Sequence, residues 1–152
     1  MRNFSKILVA IDGSEISMKA AVYTIDIVKK NKSQLIALTV LDISTPRRIS
    51  SSFITAPTYG LKELEEKRKE AQQWLDKFEK LAAKENNVKF KSEIIEDPIS
   101  RVGSSIVTYA ERENVDLIVI GSRGRTGFKK MLLGSVASDV VTYAHCPVMV
   151  VK

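Results

Sequence analysis

At 152 residues, with 44% apolar and 28% charged side chains, the chain has the balance of a globular protein and falls outside the disordered and fibrous classes. It contains no apolar run near the roughly 20 residues a membrane helix needs, and its one cysteine, Cys146, cannot make an internal disulfide, which fits a reducing cytoplasm. The formal net charge of +6 favours an anionic partner only weakly, so the placement of the cations matters more than their number.

Met1 to Lys6 lacks an apolar segment ahead of a cleavage site, so no secretory signal is expected and a cytoplasmic location is. Lys6 to Ile11 is a short continuous apolar run, the pattern of a strand buried on both faces. It stops at Asp12-Gly13-Ser14, residues suited to a turn and a helix cap. Ala20, Ala21, Thr24, Ile27 and Val28 then recur at helical spacing, with Glu15 in the first turn and Lys29, Lys30 and Lys32 at the end. Gln34 to Val40 predicts a second strand. From Asp42 to Gly60 the periodicity vanishes, as in a long crossover loop.

Leu61 to Asn86 predicts a long helix whose stripe of Ala71, Trp74, Leu75, Phe78, Leu81 and Ala82 reads as core packing rather than an aromatic binding box. Val88 to Ile95 predicts a third strand. Asp97-Pro98 has the form of a helix start, aspartate as cap and proline first, and Ile99, Val102, Ile106 and Ala110 give that helix its buried face. Asn114 closes it, Asp116 to Ile120 is a fourth strand, Ser135 to Ala144 a helix, and Pro147 to Val151 a last strand.

Strands and helices therefore alternate, without an internal repeat or a visible boundary. The expected architecture is one α/β domain over residues 1–152: an open, parallel, five-stranded sheet, helices on both faces, in the flavodoxin-like order 3-2-1-4-5. In that order the first and fourth strands are neighbours whose connections leave towards opposite faces. A crevice opens between their carboxyl ends, and ligands of open α/β sheets bind at such a switch point. Asp12 lies just past the first strand and Gly121 just past the fourth, with the end of the second strand at Val40 forming the adjoining wall.

The stretch after the fourth strand has the chemistry of a phosphate cradle. Gly121, Gly124 and Gly127 are expected to let the backbone take positive φ and bring amides close to oxyanions. Gly134-Ser135 opens a helix whose unpaired amides and dipole favour an anion. Arg123, Arg125, Lys129 and Lys130 stand in this loop without a single acid. A carboxylate at Asp12 suits ribose hydroxyls or an adenine amino group. The Gly-x-x-x-x-Gly-Lys-[Ser/Thr] motif is absent, because Lys129 follows Phe128 and no hydroxyl residue follows it, and Gly-x-Gly-x-x-Gly is absent as well.

Gly121-x-x-Gly124, nine residues, then Gly134-Ser135 resembles the Gly-2x-Gly-9x-Gly-[Ser/Thr] signature of the ATP-binding universal stress proteins. Ile7 to Ser14, Asp116 to Ser122 and Cys146 to Val151 resemble the same family's opening strand and turn, fourth strand and closing strand. The resemblance implies the fold of the adenine nucleotide alpha hydrolase-like proteins. It further implies that Ala10, Asp12 and Val40 form the adenine and ribose end, and that Gly121, Ser122, Arg123, Gly124, Arg125, Thr126 and Gly127 wrap ribose and phosphates. Ser135, Val136 and Ala137, beside Gly134, would hold the terminal phosphates. It implies ATP as ligand, a divalent cation (Mg or Mn) carried on the phosphates, and a homodimer joined through Val148 to Val151, an apolar edge with its own physical motive to pair.

The leading reading is a nucleotide-dependent stress or signalling module that acts on a protein partner. A slow ATPase or nucleotidyl-transfer enzyme on the same scaffold is the alternative, although the sequence offers no evident activated nucleophile. Aromatic residues are not interleaved with the basic ones, which argues against stacking on single-stranded nucleic acid. His145 and Cys146 are the sole members of their types, short of the ligands a metal site needs, and read as helix-end packing; Glu96 and Asp97 read as strand-end and capping residues.

Overall fold

A computed structural model of the protein describes residues 3–43, 60–98, 101–125 and 133–152. The central strand, β1 (Lys6–Ala10), is flanked by β2 (Gln34–Asp42) and β4 (Leu117–Gly121). β3 (Lys89–Asp97) pairs outside β2 and β5 (Val148–Val151) outside β4, so the order is β3-β2-β1-β4-β5, parallel throughout, as the alternating sequence predicts.

Alternation along each strand divides the core into two layers. Ile7 and Val9 point to the layer shared with Ala20, Ala21, Val28, Leu75 and Phe78. Those residues lie on α1 (Glu15–Asn31) and α2 (Leu61–Ala83). Leu8, Ile36, Leu38 and Ile118 point to the other layer, with Ile106, Tyr109 and Ala110 of α3 (Val102–Arg112) and Ala137 and Val140 of α4 (Ser135–Tyr143). Continuous apolar strands are therefore required here, since helices cover both faces. Each fully buried Val, Leu or Ile contributes about 1.5–3 kcal/mol.

Most element ends fall within one to three residues of the sequence expectation, but one start is corrected. Asp97 does not cap α3. It is the last residue of β3, in register with Asp42, because β2 and β3 continue their ladder two residues beyond Val40 and Ile95. Helix α3 begins at Val102 with Arg101 in the cap position. Asp97 still reaches that helix from outside, its Oδ2 accepting from Ser105 Oγ at 2.5 Å.

The two edges differ in character. β3 carries Lys89, Lys91, Glu93, Glu96 and Asp97, and Arg68 of α2 pairs with Glu96 across its face. That charge suits an edge kept from pairing. β5 reads Val-Met-Val-Val.

Candidate functional site

Site geometry starts at the turn after β1. Ile11 N–H still bonds Leu38 C=O at 2.8 Å, after which the chain leaves the sheet. Gly13 adopts φ +79° and Ser14 caps α1, its hydroxyl accepting from Ser17 N–H at 3.1 Å. Asp12 is fixed within this turn: its Oδ1 accepts from Ser14 N–H at 3.0 Å, and its own N–H donates to Ser17 Oγ at 3.3 Å. Its second oxygen, Oδ2, faces Gly124, where a Cβ built on that glycine would come within 2.7 Å.

The glycines after β4 serve close approach, and the expectation of positive φ at Gly121 and Gly124 is corrected. Among the described residues Gly13 is the one glycine with positive φ. A side chain at Gly121 would collide with Ile16 Cγ2 at 2.8 Å, and one at Gly134 would press on Ser122 C=O at 3.3 Å. Ser122 braces the two segments: its N–H donates to Val151 C=O and its C=O accepts from Gly134 N–H, both at 2.7 Å. This locks the start of α4 against the end of β4. The first intrahelical bond of α4 runs from Ser138 N–H to Gly134 C=O. The amides of Ser135, Val136 and Ala137 thus have no acceptor within the helix.

These parts surround one cleft of about 490 Å³ at the switch point between β1 and β4, inside the size range of small-molecule sites. Of the residues singled out in the sequence, Ala10, Asp12, Val40, Gly121, Arg123, Gly124, Arg125, Gly134, Ser135, Val136 and Ala137 line it. Ser122 does not; it is buried and structural. Thr126, Gly127, Lys129 and Lys130 lie outside the described residues, as does most of the stretch from Asp42 to Gly60.

The cleft also has a wall the sequence reading missed. Val102 and Ile106 of α3, with Leu38 and Ile120, make it apolar on one side, while Ser17, Asp42 and Lys67 add polar groups at its edge. Val102 and Ile106 had the right helical spacing but nothing in the sequence told core from cleft. The backbone of β2 adds polar groups to the cleft. Leu38 C=O faces β1, so two residues on, Val40 presents its N–H and C=O to the same side, past the end of β1.

Trp74 is half-buried against the core, as its stripe predicts, but its ring also covers Gly13 so closely that a Cβ there would fall 2.2 Å from it. Arg125 Cζ lies 5.1 Å from the same ring, and Arg125 Nη2 lies 3.5 Å from Glu70 Oε1. At the opposite end of the sheet, His145 Nε2 sits 3.0 Å from Val115 C=O, and burial pushes the Cys146 thiol up, keeping it protonated. Asp116 there accepts from the Ser5 and Lys6 N–H groups.

An open parallel sheet whose switch-point cleft joins a carboxylate, a close-packed glycine turn and a helix N-terminus defines an α/β protein of the doubly wound, open-sheet class. Residues 3–152 match the model of the universal stress protein family, and the chain belongs to that family. A universal stress protein of Methanocaldococcus jannaschii is 39% identical, over 98% of this chain and 82% of its own. Another, from Bacillus subtilis, is 32% identical over 98% of this chain and 99% of its own. The structure of a Lactobacillus plantarum universal stress protein superposes with a TM-score of 0.85 at 26% identity, covering 100% of both chains.

More distant structures share the fold and were solved with ligands. A universal stress protein with cAMP has TM-score 0.71 at 18% identity, covering 99% of this chain and 98% of its own. One from Archaeoglobus fulgidus with dAMP has TM-score 0.69 at 19% identity, covering 99% and 100%. One from Arabidopsis thaliana with AMP has TM-score 0.66 at 19% identity, covering 97% and 91%. Among the described residues, no helix is long and apolar enough to cross a membrane.

Proposed function

We propose that this protein binds adenine nucleotide, with ATP as the working ligand, in the cleft between β1 and β4. The observation that carries the reading is the convergence of Asp12 Oδ2, Gly124 and the first-turn amides of α4 on one cleft. A carboxylate and an anion-favouring helix end together match a ligand with hydroxyls at one end and phosphates at the other. Structures of family members with AMP, dAMP and cAMP support the adenine assignment.

In this arrangement the base lies on the apolar wall of Val40, Val102 and Ile106. Val40 N–H donates to a ring nitrogen of adenine and its C=O accepts from the exocyclic amino group. Asp12 takes the ribose hydroxyls. Phosphates meet Gly124, Arg123 and the amides of Ser135, Val136 and Ala137. The phosphate end is lined by arginines and amides, and the described residues hold no group of three or more His, Cys, Asp or Glu able to cage a cation. A Mg or Mn ion fits there as cargo of the phosphates, completed by water.

The protein acts as one domain over residues 1–152, a cytoplasmic stress or signalling module whose nucleotide state governs a protein partner. Two copies join through β5, whose apolar edge contrasts with the charged edge of β3. Asp12 is held by its own turn, its Oδ1 accepting from Ser14 N–H. A genuine ATPase on this scaffold would show turnover well above about one per minute that disappears in Asp12→Ala. Mass spectrometry of gently purified protein, followed by ATP calorimetry, tests the main reading. ATP is expected to co-purify and to be lost in a Gly124→Val/Gly134→Val double variant; absence of adenine nucleotide binding below millimolar concentration would sink it.

A further inference from the structure

Arg125 faces two ways. It lines the cleft, yet its guanidinium stacks over Trp74 at 5.1 Å and approaches Glu70 at 3.5 Å. Glu70 and Trp74 are four residues apart on α2, so they share one helix face, and Lys67, one turn earlier, reaches the cleft edge from that face. The Trp74 ring in turn covers Gly13, next to Asp12. One indole therefore touches both halves of the site, the Asp12 turn and the glycine loop.

We infer that Glu70 and Trp74 compete with nucleotide phosphate for the Arg125 guanidinium, which makes α2 a reader of how much phosphate the cleft holds. This rests on the nucleotide reading above. A guanidinium has a limited set of donors in a fixed fork, and a phosphate oxygen takes them as well as a carboxylate does. Glu70 and Arg125 are both about half exposed, with side-chain exposures of 47% and 56%. The pairing is therefore weak enough to exchange rather than a permanent brace. Competition strengthens with the charge on the ligand, so a triphosphate draws Arg125 from α2 more fully than a monophosphate does. The side of α2 that carries Glu70 then presents a free carboxylate and an uncovered indole face, a charge and shape change that a partner protein can read.

The signature is an affinity gain from removing an acid that the ligand never touches. Glu70→Ala replaces an exposed helical residue by a strong helix former, so the fold is retained. It is expected to tighten ATP binding about threefold, by removing a competitor of surface-pair strength, and to change AMP binding less. Trp74 is the chain's one tryptophan, so its emission reports the exchange directly. Saturating ATP should shift it more than saturating AMP, and Arg125→Gln should abolish the difference between the two.

Calorimetry and fluorescence with ATP and AMP on wild type, Glu70→Ala and Arg125→Gln decide the matter. Unchanged or weakened ATP binding in Glu70→Ala overturns the competition, as does an ATP-specific emission shift that survives in Arg125→Gln. Both of those results leave nucleotide binding itself standing. Wild type that binds neither nucleotide overturns the underlying reading together with this one.

Discussion

Replacing Gly124 by alanine tests the geometry at its tightest point. The added Cβ would lie 2.7 Å from Asp12 Oδ2, against about 3.5 Å for an ordinary contact. Carboxylate and loop must therefore separate by roughly 0.8 Å. A hydrogen bond that Oδ2 accepts from a ribose hydroxyl at about 2.7 Å would stretch to about 3.5 Å, where it no longer counts as one. Loss of a hydrogen bond to a charged group costs about 1.5–3 kcal/mol, so ATP affinity should fall about 10- to 150-fold. Stability should hardly change, because Gly124 is exposed and its backbone does not need the left-handed region. Gly60→Ala is the matched control, since a Cβ there meets nothing within 4 Å. Calorimetry with ATP beside thermal melts gives both readouts. Binding within twofold of wild type in Gly124→Ala would refute the claim that Asp12 and the glycine turn hold one ligand.

Three further outcomes follow from other parts of the molecule. Gly103→Ala puts a Cβ 2.5 Å from Asp139 Cβ, forcing α3 and α4 apart; it should destabilise by about 1–3 kcal/mol and weaken ATP binding because Ser135 to Ala137 move with α4, and an unchanged melting temperature would contradict it. Tyr109→Phe removes a 2.7 Å bond to Glu93 and should cost about 1 kcal/mol in denaturant titration without altering nucleotide affinity. Burial, then the Glu93 bond, pushes the Tyr109 hydroxyl up from 10.0 to about 12. Its folded value exceeds its unfolded one, so stability is complete below about pH 10 and declines between about 10 and 12; that decline should be smaller in Tyr109→Phe. Along β5, the C=O groups of Pro147, just before the strand, and of Val151 accept from Ile118 and Ser122 N–H, so Val148 and Val150 present their amides outward. Val150→Pro should then yield monomer in light scattering while the β4 ladder survives, and an unchanged dimer mass would place the interface elsewhere.

Features with a one-dimensional signature are legible in the sequence. Apolar runs such as Lys6–Ala10 and Leu117–Gly121 mark strands buried on both faces, and the strict alternation with helices leaves few topologies. Topology then places Asp12 beside Gly124 without any motif. Contacts that depend on relative helix placement were not legible. The 3.6-residue period that puts Trp74 on the buried stripe of α2 does not say that its ring lies on Gly13, or that Glu70 reaches Arg125. The same period marks Val102 and Ile106 as apolar without distinguishing core from cleft wall. Asp97-Pro98 misled because a capping dipeptide is a local preference, and nine paired positions between β2 and β3 outweighed it. The glycines were rightly singled out for a partly wrong reason: crowding by Ile16 and Asp12, rather than handedness, excludes side chains at Gly121 and Gly124.

The central claim is that ATP occupies the switch-point cleft, and backbone amide NMR of the labelled protein during an ATP titration tests it most directly. Saturable shifts at micromolar ATP are expected, confined to Val40, Asp12, Gly124 and the first turn of α4, with Asp116 and His145 at the far end of the sheet unmoved. Shifts that cluster away from the cleft, or that fail to saturate below millimolar ATP, would contradict it.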